Sequence, residues 1–352
     1  MHTGSTTTHD IYFNEVAEAG LNQFLTQNDY SHIFILVDKN TEEYCLGPFL
    51  NLLAMEPSAT FTIKPGEENK TIEACVKVWN DLSQNGGDRK SILINLGGGV
   101  VTDLGGFVAS TFKRGIDFIN IPTTLLAMVD ASVGGKTGVD LGVLKNQVGV
   151  INQPRMVLLF PEFLKTLPEN QLRSGFAEML KHGLIADKTY WKALSGPINL
   201  FDEENIRKSI KIKDTIVSKD PTEKGVRKAL NFGHTLGHAI ESYFLENSKL
   251  KTLLHGEAIA IGMILEGYLS HKLTGLSKME LDDIKQEFGK HFKKVNFTKK
   301  DIAIIIDLLK HDKKNTHGNI NFVLLAELGQ AVIDIKVPTH LFNEAFAYYK
   351  EP

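Results

Sequence analysis

The run Ser91-Ile-Leu-Ile-Asn-Leu-Gly97-Gly98-Gly99-Val-Val-Thr-Asp103 decides the fold of this 352-residue chain. Its apolar start reads as a buried strand, the three glycines as a turn, and the segment after them as the start of a helix. Glycines let backbone N–H groups approach a pyrophosphate at a helix N-terminus, although the spacing is not the G-x-G-x-x-G fingerprint. A bare Gly-Gly-Gly is also an ordinary tight turn, and its place after a buried strand is what favours a cofactor loop. Outward from it, His32 to Val37, Thr60 to Ile63, Ser91 to Asn95, Asp117 to Ile121 and Met156 to Leu159 read as strands. The stretches from Thr41 and from Asn69 to Leu82 read as helices, so the first half predicts a parallel sheet covered by helices. Asp38 and Asn40 end the first of these strands, and an acid there can accept hydrogen bonds from an adenosine ribose. Glu67 to Lys70 form a further polar loop on the same edge. Three polar loops after three parallel strands describe a crevice at the carboxyl ends of the sheet.

From Leu167 onward the apolar spacing shifts to three and four, which predicts a mostly helical second half and domains of residues 1–166 and 167–352. Two late apolar runs, Asn319 to Leu325 and Gln330 to Ile335, fit a hairpin or buried helix ends. The tract from Thr123 to Asn146 reads as a dense polar loop. Its Gly135-Lys136 lacks the full P-loop spacing, which disfavours ATP hydrolysis. Lys136, Lys145 and Asn146 within this short tract suit a phosphorylated or polyhydroxylated substrate, against the blander reading of a solvated loop.

A formal charge of -3 with interspersed Lys and Asp/Glu leaves no basic field for a nucleic-acid backbone. The longest apolar runs are far shorter than a bilayer span, and MHTGSTTTHD lacks a charged-then-apolar signal pattern. With two cysteines, Cys45 and Cys75, a reducing cytoplasm is the default.

Metal-capable side chains are concentrated in apolar sequence in the second half. Asn231-Phe-Gly-His234-Thr-Leu-Gly-His238 and Leu254-His255-Gly-Glu257 interrupt buried-helix pattern, and Ser174-Gly-Phe-Ala-Glu178-Met-Leu-Lys181-His182 is amphipathic. One carboxylate and two imidazoles make a catalytic zinc site with an open position. Spacing nominates His234 with His238, at i and i+4, yet Glu178 and His255 are equally ligand-capable. A single histidine on an apolar face is more often a satisfied core residue; this density of candidates favours a metal.

The tracts 97–103, 122–124, 130–137, 145–146, 175–181, 227–241 and 255–258, from Gly97-Gly-Gly-Val-Val-Thr-Asp103 to His255-Gly-Glu-Ala258, together resemble the 3-dehydroquinate synthase family, within the sugar phosphate cyclases. The resemblance implies a Rossmann-like NAD-binding α/β domain followed by a mainly helical metal- and substrate-binding domain. It implies tightly bound NAD, one Zn or Co ion and a homodimer. The implied reaction takes 3-deoxy-arabino-heptulosonate 7-phosphate to 3-dehydroquinate and phosphate. Its steps are transient oxidation by NAD, phosphate elimination, return of the hydride, ring opening and aldol closure.

By the same resemblance Glu178, His234 and His255 are the metal ligands, and His238 belongs instead to the phosphate with Lys136, Asn231 and one of Lys313 or Lys314. Arg114 matches a phosphate-contacting arginine that the family reaches across a dimer interface. Arg227 and Lys213 match holders of the substrate carboxylate. Asp130, Lys145, Asn146, Lys181 and Glu223 match the remaining polar lining, with Lys136 and Lys145 also near the cofactor. Asp38, Asn40, Glu67, Lys70, Gly98, Gly99, Asp103, Thr123 and Thr124 fall on the NAD side. Ala131, Asp140-Leu141-Gly142 and Pro221 depart from the family's usual residues, which concerns the NAD-pocket lining and loop shape. Rival readings are a cyclase for a substrate lacking the carboxylate, a metal-dependent polyol dehydrogenase that releases NADH, and a non-catalytic metal- or sugar-phosphate-binding protein.

Overall fold

In a computed structural model, residues 10–142, 144–196, 198–247, 250–309 and 320–351 are described. The chain divides into two compact units, Met1–Pro168 and Glu169–Pro352. The first is built on a six-stranded sheet of order β1-β8-β5-β4-β2-β3, formed by Asp10–Phe13 (β1), Ile33–Asp38 (β2), Ala59–Ile63 (β3), Ile92–Gly97 (β4), Asp117–Pro122 (β5) and Met156–Leu159 (β8). Every pairing in this sheet is parallel.

Burial on both faces explains the nearly unbroken apolar strands. Ile33, Ile35, Val37, Ile92, Ile94 and Leu96 point into one core with the helix Asn14–Asn28. Phe34, Leu36 and Leu93 point into the other, with the helices Ile72–Gln84 and Gly99–Thr111. Gly105 lets the second of these helices lie against the sheet, because a Cβ there would fall 1.9 Å from Oδ1 of buried Asn95. The order reverses between β2 and β4: the chain leaves β2 for the β3 edge, then returns to build β4, β5 and β8. Such a reversal opens a crevice beyond the strands' carboxyl ends, where Asp38 and Gly97 stand.

Two parts of the sequence reading need correction. The tract from Thr123 to Asn146 is not one polar loop: a helical turn over Ala127–Ala131 leads into an antiparallel hairpin of Lys136–Leu141 (β6) and Leu144–Ile151 (β7). The glycines hid the alternation, since Gly138 pairs with Gly149 and a Cβ on Gly138 would meet Val148 O at 2.5 Å. Strand β1 and the helix after it were also unread, being a four-residue edge strand and a helix of mixed polarity.

The second unit carries the helices Glu169–Ala186, Lys188–Leu194, Glu203–Lys219, His234–Glu246, His255–Leu273, Lys278–His291, Lys299–Leu308 and His340–Lys350. The two late apolar runs form an antiparallel hairpin, Asn321–Glu327 (β9) with Gln330–Lys336 (β10), which selects the hairpin over buried helix ends. No helix among the described residues is long and apolar enough to cross a membrane.

Candidate functional site

In the first unit, β4 runs through Gly97 into the helix Gly99–Thr111, whose N-cap Gly98 is extended. This is the strand, glycine turn and helix start that cradles phosphate groups. Thr123 and Thr124 stand against it: the Thr123 N–H donates to Gly97 O at 3.0 Å, and a Cβ on Gly98 would reach Thr124 Cγ2 at 3.0 Å. Asp38 Oδ1 accepts the N–H groups of Asn40 and Thr41, each at 2.9 Å, which fixes the acid at the end of β2.

Beside the loop lies a charge network that draws together five residues expected on the site from sequence. Lys70 Nζ is buried and donates to Asp103 Oδ2 at 2.6 Å and to Asn146 Oδ1 at 2.7 Å, with Glu67 at 3.8 Å. Lys145 reaches Glu67 at 3.3 Å. Burial disfavours the Lys70 charge, but Asp103 and Glu67 outweigh it and raise the ammonium above its ordinary value, so it stays charged. Asp140 accepts the Asn146 N–H at 2.6 Å, tying β6 to β7 at this point. Asp130 is half-buried on its helical turn, while Lys136 and Arg114 are exposed.

Arg114, Asn146 and Glu223 adopt φ of 74°, 51° and 59°, a region that costs a non-glycine residue energy, as do Asn14, Asp29, Lys113 and Asp334 outside the candidate residues.

In the second unit, Glu178, on the helix Glu169–Ala186, is fully buried, with Oε1 3.7 Å from His234 Nε2 and 3.5 Å from His255 Nε2. His234 opens the helix His234–Glu246 and His255 opens His255–Leu273. Donors bound to one tetrahedral zinc at about 2.0–2.2 Å stand roughly 3.4 Å apart, so the observed spacings suit a shared divalent ion. Each imidazole is also backed as metal-bound histidines are. His234 Nδ1 lies 3.1 Å from Phe232 O, and His255 Nδ1 lies 3.4 Å from Glu241 Oε2. Buried Lys181 pairs with the other Glu178 oxygen.

His238 follows His234 by one turn, their ring centroids 5.1 Å apart. Among the described residues of this unit, the candidate donor groups are Glu178, His234 and His255, or His238, Glu241 and His255; neither joins His234 to His238. The i, i+4 pair that spacing nominated is therefore not drawn together as one donor set. We favour the first group, because Glu178 faces two Nε2 atoms whereas Glu241 lies on the Nδ1 side of His255.

Burial opposes charge on His255, but Glu241 and Glu178 outweigh it and raise the imidazole to about 9. Without a metal, His255 therefore carries a proton that a bound cation would displace. Uptake of Zn2+ should release about one proton below pH 9, with apparent affinity climbing about tenfold per pH unit and levelling above it. Competition with a chromophoric chelator across pH 6.5–9 checks this; a flat profile would contradict it. In the metal-free chain the same shift adds stability that is complete below 6.5 and lost as pH rises through about 9.

The polar lining converges on one loop. Asp220 Oδ2 accepts the N–H groups of Gly225 at 2.7 Å and Arg227 at 3.1 Å. Arg227, buried, donates from Nη1 to Pro221 O at 2.7 Å, so the unusual proline carries a carbonyl that holds the guanidinium. Asn231 Nδ2 donates to Glu223 Oε1 at 2.6 Å. Lys213 is buried on the helix Glu203–Lys219. Lys313 and Lys314 lie outside the described residues. Glu241 and Glu266 were not assigned from sequence, although Glu241 falls at i+3 from His238 and Glu266 is a lone acid in an apolar run.

The family profile for the 3-dehydroquinate synthase N-terminal region matches residues 60–174, and that for its C-terminal region matches residues 175–315. A 3-dehydroquinate synthase of Parabacteroides distasonis is 41% identical over 340 residues, covering 94% of this chain and 95% of the relative. One from Listeria monocytogenes serotype 4b is 40% identical over 341 residues, 93% and 91% of the two chains. Among solved structures, a 2-epi-5-epi-valiolone synthase from Streptomyces hygroscopicus subsp. jinggangensis, with NAD+ and Zn2+ bound, superposes with a TM-score of 0.81 at 25% identity, covering 99% of this chain and 98% of that one. With profiles over both halves and such relatives along nearly its whole length, the chain belongs to the 3-dehydroquinate synthase family.

Proposed function

We propose that the protein is a 3-dehydroquinate synthase, a carbon–oxygen lyase converting 3-deoxy-D-arabino-heptulosonate 7-phosphate to 3-dehydroquinate and phosphate in aromatic biosynthesis. The observation that carries this reading is the convergence of Glu178, His234 and His255 in a chain about 40% identical to named 3-dehydroquinate synthases. NAD, when bound, takes up and returns a hydride, while Zn2+ or Co2+ lowers the pKa of a substrate hydroxyl.

The chain's own residues do the rest. Glu178, His234 and His255 hold the ion, and Lys181 balances the Glu178 charge. Gly98, Gly99 and the helix they start receive the cofactor pyrophosphate, with Asp38 and Asn40 toward its ribose and Thr123, Thr124, Glu67, Lys70 and Asp103 lining its other side. His238 and Asn231 donate hydrogen bonds to the departing phosphate, to which Lys136 and, from a partner protomer, Arg114 add charge. Arg227 offers a two-pronged donor to the substrate carboxylate, with Lys213 as a second cation. Asp130, Lys145, Asn146 and Glu223 complete the lining and orient substrate hydroxyls.

The reading includes a cytoplasmic homodimer. Both cysteines are buried and free, which suits a reducing compartment. Identity of 41% to a dehydroquinate synthase against 25% to the valiolone synthase favours the carboxylate-bearing substrate. Phosphate release should be robust with the heptulosonate phosphate and at least 10²-fold slower with a heptulose phosphate lacking the carboxylate, since that substrate offers Arg227 and Lys213 no carboxylate to hold. The reverse preference would assign the chain to the other cyclases.

A further inference from the structure

We propose that Glu266 is a positioning residue that acts on the metal ligand His234 through a single peptide group. Glu266 is fully buried on the helix His255–Leu273, eleven residues, or about three turns, beyond His255 and so on the same face. Its Oε2 accepts the Gly233 N–H at 2.6 Å and its Oε1 the Leu236 N–H at 3.0 Å. The first turn of a helix leaves backbone N–H groups needing partners, and Gly233, the N-cap of the histidine helix, has no side chain to offer. The neighbouring helix supplies the cap instead.

The peptide that Glu266 holds is the one that backs the ligand. Its N–H, on Gly233, donates to Glu266, while its carbonyl, on Phe232, lies 3.1 Å from His234 Nδ1. A carboxylate thus polarises a peptide whose oxygen accepts the hydrogen bond of Nδ1–H, leaving Nε2 the more basic metal donor. His255 receives the same support directly, from Glu241 at 3.4 Å. The two imidazoles are each backed by a carboxylate, one in contact and one through a peptide. The two helices approach closely here: Gly233 sits at φ 79°, and a Cβ on Gly262 would fall 2.0 Å from Gly233 O.

This inference rests on the metal reading above. Its test compares the wild type with E266Q, E241Q and E266A by Zn2+ competition against a chelator, by the Co2+ d–d spectrum, and by thermal melting of the metal-free protein. E266Q keeps the shape but loses the charge, and it should bind Zn2+ about tenfold or more weakly, comparable to E241Q, with a displaced Co2+ spectrum. A purely structural role predicts a lower melting temperature with unchanged Zn2+ affinity in the folded protein, and that result overturns the proposal. Should E266A fail to fold, E266Q alone decides. Wild type without a stoichiometric Zn2+ site would refute the metal reading itself, whereas tight wild-type binding with unaltered E266Q refutes only the role of Glu266.

Discussion

His255→Ala strips the metal and abolishes turnover. His255 supplies Nε2 to the face shared with Glu178 at 3.5 Å and carries Glu241 behind its other nitrogen. Removing it leaves Glu178 and His234, two protein donors where a catalytic site uses three. Changes outside the ligand set weaken metal binding about 10–100-fold, so loss of a ligand should exceed that range. The substitution also removes the imidazole that contacts both Glu178 and Glu241 in the metal-free state. Metal content after dialysis, set beside turnover in excess Zn2+, checks the result. A full equivalent of retained zinc would show that both donor groups containing His255 are wrong.

His238→Ala gives the opposite pattern: the zinc stays and the chemistry suffers. With Glu178, His234 and His255 as the ligands, His238 stands outside the donor set and its proposed role is to donate to the leaving phosphate. Losing one preorganised donor to a developing oxyanion costs about 10²–10³ in kcat, or roughly 2.7–4 kcal/mol. Phosphate elimination should slow by that factor while zinc content is unchanged. Loss of zinc here would instead select the group of His238, Glu241 and His255. The pair of variants therefore separates the two donor sets, since His255 belongs to both and His238 to one.

The parallel sheet and glycine turn were legible because buried parallel strands write continuous β-branched runs, as in Ile92 to Leu96, and because the turn follows directly. The hairpin over Lys136–Ile151 was not, since Gly138 and Gly149 face each other with no side chains to show the period. At the metal, spacing found the histidine helix and paired His234 with His238, a pair that neither candidate donor group of the second unit contains. His234 and His238 lie near in sequence, whereas the partners that complete the set, Glu178 and His255, come from two other helices and only packing brings them to His234. The resemblance named Glu178, His234 and His255 together, and the structure groups these three as one candidate donor set. Neither exposed the roles of Glu241 and Glu266, because a carboxylate that acts from behind a ligand leaves no motif, only an acid where the helix pattern calls for an apolar residue.

The central claim is that the cofactor is recycled within each turnover. The most direct measurement follows phosphate release from the heptulosonate phosphate and absorbance at the nicotinamide band in one cuvette, with the Zn2+-loaded protein and NAD. Recycling of NAD yields many equivalents of phosphate with no net accumulation of NADH; NADH rising in step with substrate consumed would rule recycling out and identify a dehydrogenase.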